Sequence, residues 1–118
     1  MMKKKLKTSN NDNNTEYKWT VSQLLQNAVK EHNIEDIRGC LWACIAVDPT
    51  LTGMFKVSLD YILSNGISEN ELYENDDGEI FDLEPTDNNF NELGGAIRTN
   101  FSKKKLNGLK KIGTALYA

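Results

Sequence analysis

The chain is poor in the residues that most often carry chemistry. Its 118 residues include one histidine, His32, and two cysteines, Cys40 and Cys44. A hydrolase triad, a nucleophile elbow or a tetrahedral zinc site each needs more than that, so no such constellation is recognisable. The two cysteines lie four apart in an apolar stretch, where a disulfide would close no useful loop, and they read as small apolar residues of a reduced protein. Proline is limited to Pro49 and Pro85. No window approaches the ~18 apolar residues of a bilayer-spanning helix. The start, MMKKKLKTSNNDNNTEYK, opens like the basic part of a signal peptide, but polar residues stand where an apolar stretch would have to follow. These absences point to a cytoplasmic protein with no membrane association. Carboxylates are abundant, yet nothing marks a buried pair with shifted pKa values. Neither enzymatic activity nor a cofactor is expected.

What is present suffices for one hydrophobic core: 39% of the residues are hydrophobic and 26% charged, enough for a single domain without staples. Residues 1–17 hold four lysines and a run of Asn and Ser. With little to bury, they are expected to form a disordered tail ahead of one helical domain over 18–118.

Within that domain the apolar spacing is helical. Val21, Leu24, Leu25, Ala28 and Val29 predict a first helix capped by Thr20 and ending near Asn33. Ile37, Leu41, Cys44 and Ile45, widened by Cys40, Trp42, Ala43 and Val47, predict a buried central helix. Asp48-Pro49 reads as the start of a third helix, with Leu51, Met54, Phe55, Leu59, Ile62 and Leu63 inward and Asn65-Gly66 as its stop. Ser68 with Glu71 is a capping-box pattern for a short fourth. Asp87 is placed as the cap of a helix carrying Phe90, Leu93, Ala96, Ile97 and Phe101, in which Gly94-Gly95 either weakens the helix or permits close packing. Ser102 caps a last helix with Leu106, Leu109, Ile112 and Leu116 inward and Lys103, Lys104, Lys105, Lys110 and Lys111 in water. The fold expected is all-α: an irregular bundle or short stack of five to six antiparallel helices, with an acidic loop or small hairpin near 74–86.

One metal pattern occurs in that loop. From Tyr73 to Glu84 the sequence matches a calcium loop at Asn75, Asp77, Gly78, Ile80 and Glu84, the third, fifth, sixth, eighth and twelfth positions. Tyr73 stands where the first carboxylate belongs, and Pro85 pushes Glu84 out of the helical conformation an exiting helix needs. The segment therefore reads as an acidic turn with no metal assigned.

Charge is distributed unevenly. No lysine or arginine occurs from Val57 to Ile97, which holds eleven of the seventeen acidic residues, whereas the other six share the remaining chain with all fourteen basic ones. The middle is acidic and the ends basic, under a net charge of −3. The bland reading is a solubilising surface. The acids are interleaved, however, with Leu72, Tyr73, Ile80, Phe81 and Leu83, as on a binding surface whose anchors sit in a field of charge. The residues expected to touch a basic partner are Glu69, Glu71, Tyr73, Glu74, Asp76, Asp77, Glu79, Phe81, Asp82 and Glu84. Nucleic acid bound on Arg98 and the lysines of the last helix, with Lys3 to Lys7 as an arm, ranks second, because the acidic segment would repel it. An adaptor with another protein partner shares the same features.

The stretch Ile97-Arg98-Thr99-Asn100-Phe101-Ser102-Lys103-Lys104-Lys105-Leu106, continuing to Leu109-Lys110-Lys111-Ile112-Gly113, resembles the closing segment of some immunity proteins of bacterial contact-dependent growth inhibition systems. The resemblance implies a protein that binds the C-terminal domain of a cognate toxin, most often a nuclease, and blocks it without catalysis.

Overall fold

The computed structural model describes residues 21–118; the tail expected over 1–17 and its lysine arm lie outside the described residues, as does Thr20. The chain is all-α, with six helices and no strand among the described residues: α1 (Gln23–Lys30), α2 (Ile34–Ile45), α3 (Met54–Ser64), α4 (Glu69–Leu72), α5 (Asp87–Thr99) and α6 (Lys103–Tyr117). Five begin on a side-chain cap: the oxygens of Ser22, Asn33, Ser68, Thr86 and Ser102 each accept a first-turn N–H. Such a cap satisfies a donor that would otherwise lack a partner.

Several boundaries differ from those expected, each for a local reason. Helix α1 is capped by Ser22 and stops at Lys30, because Asn33 is taken as the cap of α2. Residues 48–53 form a turn, and α3 starts only at Met54, yet Asp48 still caps it: one carboxylate oxygen accepts from Gly53 N at 2.9 Å and from Phe55 N at 2.8 Å. Thr86 caps α5, leaving Asp87 inside its first turn. Phe101 lies beyond the end of that helix. The stop after α3 is as expected, with Gly66 left-handed at φ 94° and Ile67 N donating back to Ile62 O at 3.4 Å, a Schellman bond. Ser68 and Glu71 form the full capping box.

Helix α2 is the central strut, touching α1, α3, α4 and α5, while α5 pairs with α6. Ile37, Leu41 and Ile45 of α2 join Leu25, Phe55, Ile62, Leu72, Leu93, Ile97, Leu109 and Ile112 in one buried cluster. The apolar band of α2 is narrower than expected, since Ala43 and Val47 are exposed and Trp42 and Cys44 half-buried. Leu24 also faces outward. Close helix packing does not involve Gly94 or Gly95, where an added Cβ would meet nothing within 4 Å. It involves Gly108 and Gly113 of α6 instead. Of the five lysines expected to face water on α6, Lys105 does not: its side chain is 2% exposed.

Candidate partner-binding site

The structure divides the ten acidic-segment residues into seven that find partners within the fold and three that find no cation partner among the described residues. Glu69 pairs with Lys103 at 2.9 Å. Glu71 closes the capping box of α4 and bonds His32. Tyr73 is half-buried, its ring stacked on Phe101 with centroids 5.9 Å apart. Glu74 accepts from Phe101 N at 2.8 Å and lies 3.9 Å from Arg38, while its own N–H donates to Phe101 O. Asp76 accepts from Ser102 Oγ at 2.6 Å and from Lys105 Nζ at 3.1 Å. Asp77 accepts from the same ammonium at 2.6 Å. Phe81 packs against the core below Lys105. In the acidic first half, Glu69, Asp76 and Asp77 are thus matched to the lysines that begin α6, and Glu71 and Glu74 to His32 and Arg38.

The remaining three turn outward. Glu79, Asp82 and Glu84 are exposed, and none pairs with a cation among the described residues. Between them stands Ile80, 90% exposed, and Leu83, 41% exposed. Leu83 is seated by its methyls against α6, where a Cβ on Gly108 would come within 3.2 Å of it. Tyr73 and Phe81, two of the residues expected to meet a partner, pack against the core, whereas Ile80 projects outward and Leu83 is partly exposed above α6. Asx turns shape the segment: Gly78 N donates to Asp76, Glu79 N to Asp77 and Glu84 N to Asp82, which favours a bent loop over a hairpin.

A groove of about 780 Å³ runs between α2 and α5. The Arg98 guanidinium lies 4.6 Å over the Trp42 ring, whose indole N–H donates to Gly94 O at 2.8 Å. Arg38 is committed to the carbonyls of Leu72 and Glu71, fastening α4 to α2. Because Glu35, Asp36 and Glu74 share the lining with the two arginines, the groove selects no sign of ligand charge. Lys104, Lys110 and Lys111 are exposed on α6.

Several carboxylates are held low. The Ser68 backbone N–H, with help from His32 and the Ser68 hydroxyl, brings Glu71 down to about 2. The Ser102 hydroxyl, then Lys105 and the Gly78 N–H, do the same for Asp76, also to about 2. Lys105 likewise lowers Asp77. Burial pulls the Lys105 ammonium down, but Asp77 and Asp76 outweigh it and raise its pKa. A carboxylate depressed on folding contributes stability above its unfolded pKa and loses it as pH falls toward the folded one. The urea midpoint is therefore expected to drop as pH falls from the ordinary 4.5 and 3.8 of these groups toward about 2. Asp76→Asn should flatten that acid limb, which urea titrations at a series of pH values would show.

No helix among the described residues is long and apolar enough to cross a membrane, and no group of three or more His, Cys, Asp or Glu among them could hold a metal ion. No protein-family model, curated protein or solved structure matches the chain.

Proposed function

We propose that this chain is an immunity protein that neutralises a basic toxin domain, a nuclease by the resemblance of its C-terminal stretch, by laying residues 79–84 over the toxin's phosphate-binding cleft. The observation that carries the reading is Ile80, 90% exposed and flanked by Glu79, Asp82 and Glu84. An apolar anchor ringed by carboxylates that have no cation partner among the described residues can bury its side chain in a partner's pocket while those carboxylates meet a basic rim. The charges speed encounter, and the anchor sets the lifetime of the complex. A cleft built to hold phosphates is closed by carboxylates with no reaction required.

The test is retention of a protein by the tagged chain from its native cells after nuclease treatment, with washes of rising salt. A basic domain should be retained and then released by salt. Against that purified domain, Ile80→Ala should weaken binding by about tenfold or more. A folded variant combining Glu79→Lys, Asp82→Lys and Glu84→Lys should neither bind nor protect cells from the domain. Unchanged affinity in both variants would refute the docking edge. A second reading has the exposed Lys104, Lys110 and Lys111 in its favour: retention of nucleic acid instead of protein would make α6 the functional surface.

A further inference from the structure

The acidic turn that resembles a calcium loop already contains a cation. Lys105 reaches into it from the first turn of α6 and gives each of its three ammonium protons a different oxygen: Asp76 Oδ1 at 3.1 Å, Asp77 Oδ1 at 2.6 Å and Asn100 Oδ1 at 2.7 Å. Three donors and three acceptors leave nothing unsatisfied on a side chain that is 2% exposed. Each acceptor is tied to the backbone around it. Asp76 also accepts from Gly78 N, Asp77 from Glu79 N and Asn100 from Asp77 N, while Asn100 Nδ2 donates to Asn75 O at 3.0 Å. Gly78, left-handed at φ 84°, makes the sharp bend that a glycine supplies at the sixth position of a calcium loop. Ser102 joins the turn to α6 by donating to Asp76 while capping the helix at Lys105 N.

We infer that Lys105 is the built-in cation of this turn: its ammonium imposes on Asp76, Asp77 and Asn100 the arrangement that a bound metal ion would otherwise have to impose. The turn over 75–79 is therefore ordered without calcium and before any partner arrives. This holds whether or not the neutralising function is correct, since it concerns the order of the loop alone. If that function is correct, the edge at 79–84 is presented by a loop whose ordering cost has already been met in the free protein.

Two variants and one wild-type measurement test it. In the wild type, the Lys105 ammonium should give its own slowly exchanging proton resonance at neutral pH, and millimolar calcium should leave the amides of Asp77, Gly78 and Glu79 unchanged. In Lys105→Met, which keeps the stem and removes the charge, hydrogen exchange at those amides should quicken by about tenfold or more, with smaller changes in α2. In Lys105→Ala, calcium or n-propylammonium should slow the same amides again. The inference is overturned if calcium orders the loop of the wild type. It is overturned equally if the Met variant keeps full loop protection or loses protection uniformly across α2 and α5. A loop of the Ala variant that ignores both added cations also overturns it. Should either variant fail to fold, the wild-type ammonium resonance decides: rapid exchange with water would mean the ammonium is not locked in the turn.

Discussion

Asp48→Ala is expected to lower the unfolding free energy by about 3 kcal/mol, through the loss of two charge-assisted bonds to backbone N–H groups, one of them buried. Asp48 is 8% exposed, and its carboxylate accepts from Gly53 N at 2.9 Å and Phe55 N at 2.8 Å. It thereby does for α3 what Ser, Asn and Thr caps do for the other helices, from five and seven residues upstream. Its negative charge also faces the positive end of the helix. Alanine leaves the Phe55 N–H buried without an acceptor, and water cannot reach it while Phe55 and Leu51 stay packed. Asp48→Asn keeps one acceptor oxygen and should lose roughly half as much. Urea denaturation of the two variants checks both the size and the order of the losses. A loss below about 1 kcal/mol in the alanine variant, the level of an ordinary solvated cap, would mean that the turn opens to let water in.

The same turn shows where the sequence was legible and where it was not. Helix type, helix number, the Gly66 stop and the Ser68-Glu71 box all follow from local spacing, because each depends on residues within one or two turns of one another. The expected start of α3 at Pro49 missed by five residues because Asp48 and proline in succession satisfy a local rule, while the actual start is set by a carboxylate reaching forward across a turn. The misplacement of Lys105 has another cause. Five lysines in nine positions suggest a solvated face, yet Lys105 stands four residues before Leu109 and seven before Ile112, on the buried stripe. That spacing was a usable signal. What spacing could not show was that Asp76 and Asp77, almost thirty residues earlier in the chain, would come to meet it. The charge map is subject to the same limit: it separates an acidic middle from basic ends, whereas folding pairs Glu69 with Lys103 and Asp76 and Asp77 with Lys105. Glu79, Asp82 and Glu84 of the segment have no cation partner among the described residues.

Gly113→Ala should destabilise more than its chemistry suggests. In a helix interior alanine is favoured over glycine by about 1 kcal/mol, and at Gly95, where a Cβ would meet nothing, the substitution is expected to stabilise by about that amount. At Gly113 the added carbon would lie 2.0 Å from Pro49 O and 3.1 Å from the Phe90 ring. The first obstacle is backbone, held by the turn that Asp48 organises, with Leu51 at φ 59°, a left-handed conformation that leucine adopts only at a cost. Neither a rotamer change nor a small shift relieves the clash, so either α6 or the turn must move away. The expected loss is about 3 kcal/mol, which for a domain of this size lowers the melting temperature by about 10 °C or more. Calorimetry on Gly113→Ala beside Gly95→Ala reads the opposite signs directly. The double variant Asp48→Ala/Gly113→Ala carries the argument further. Both changes act on one turn, so once Asp48 has released it, the Gly113 methyl has room and the combined loss should fall short of the sum of the single losses. Strict additivity would mean that the turn's rigidity, and hence its grip on α6, does not come from Asp48.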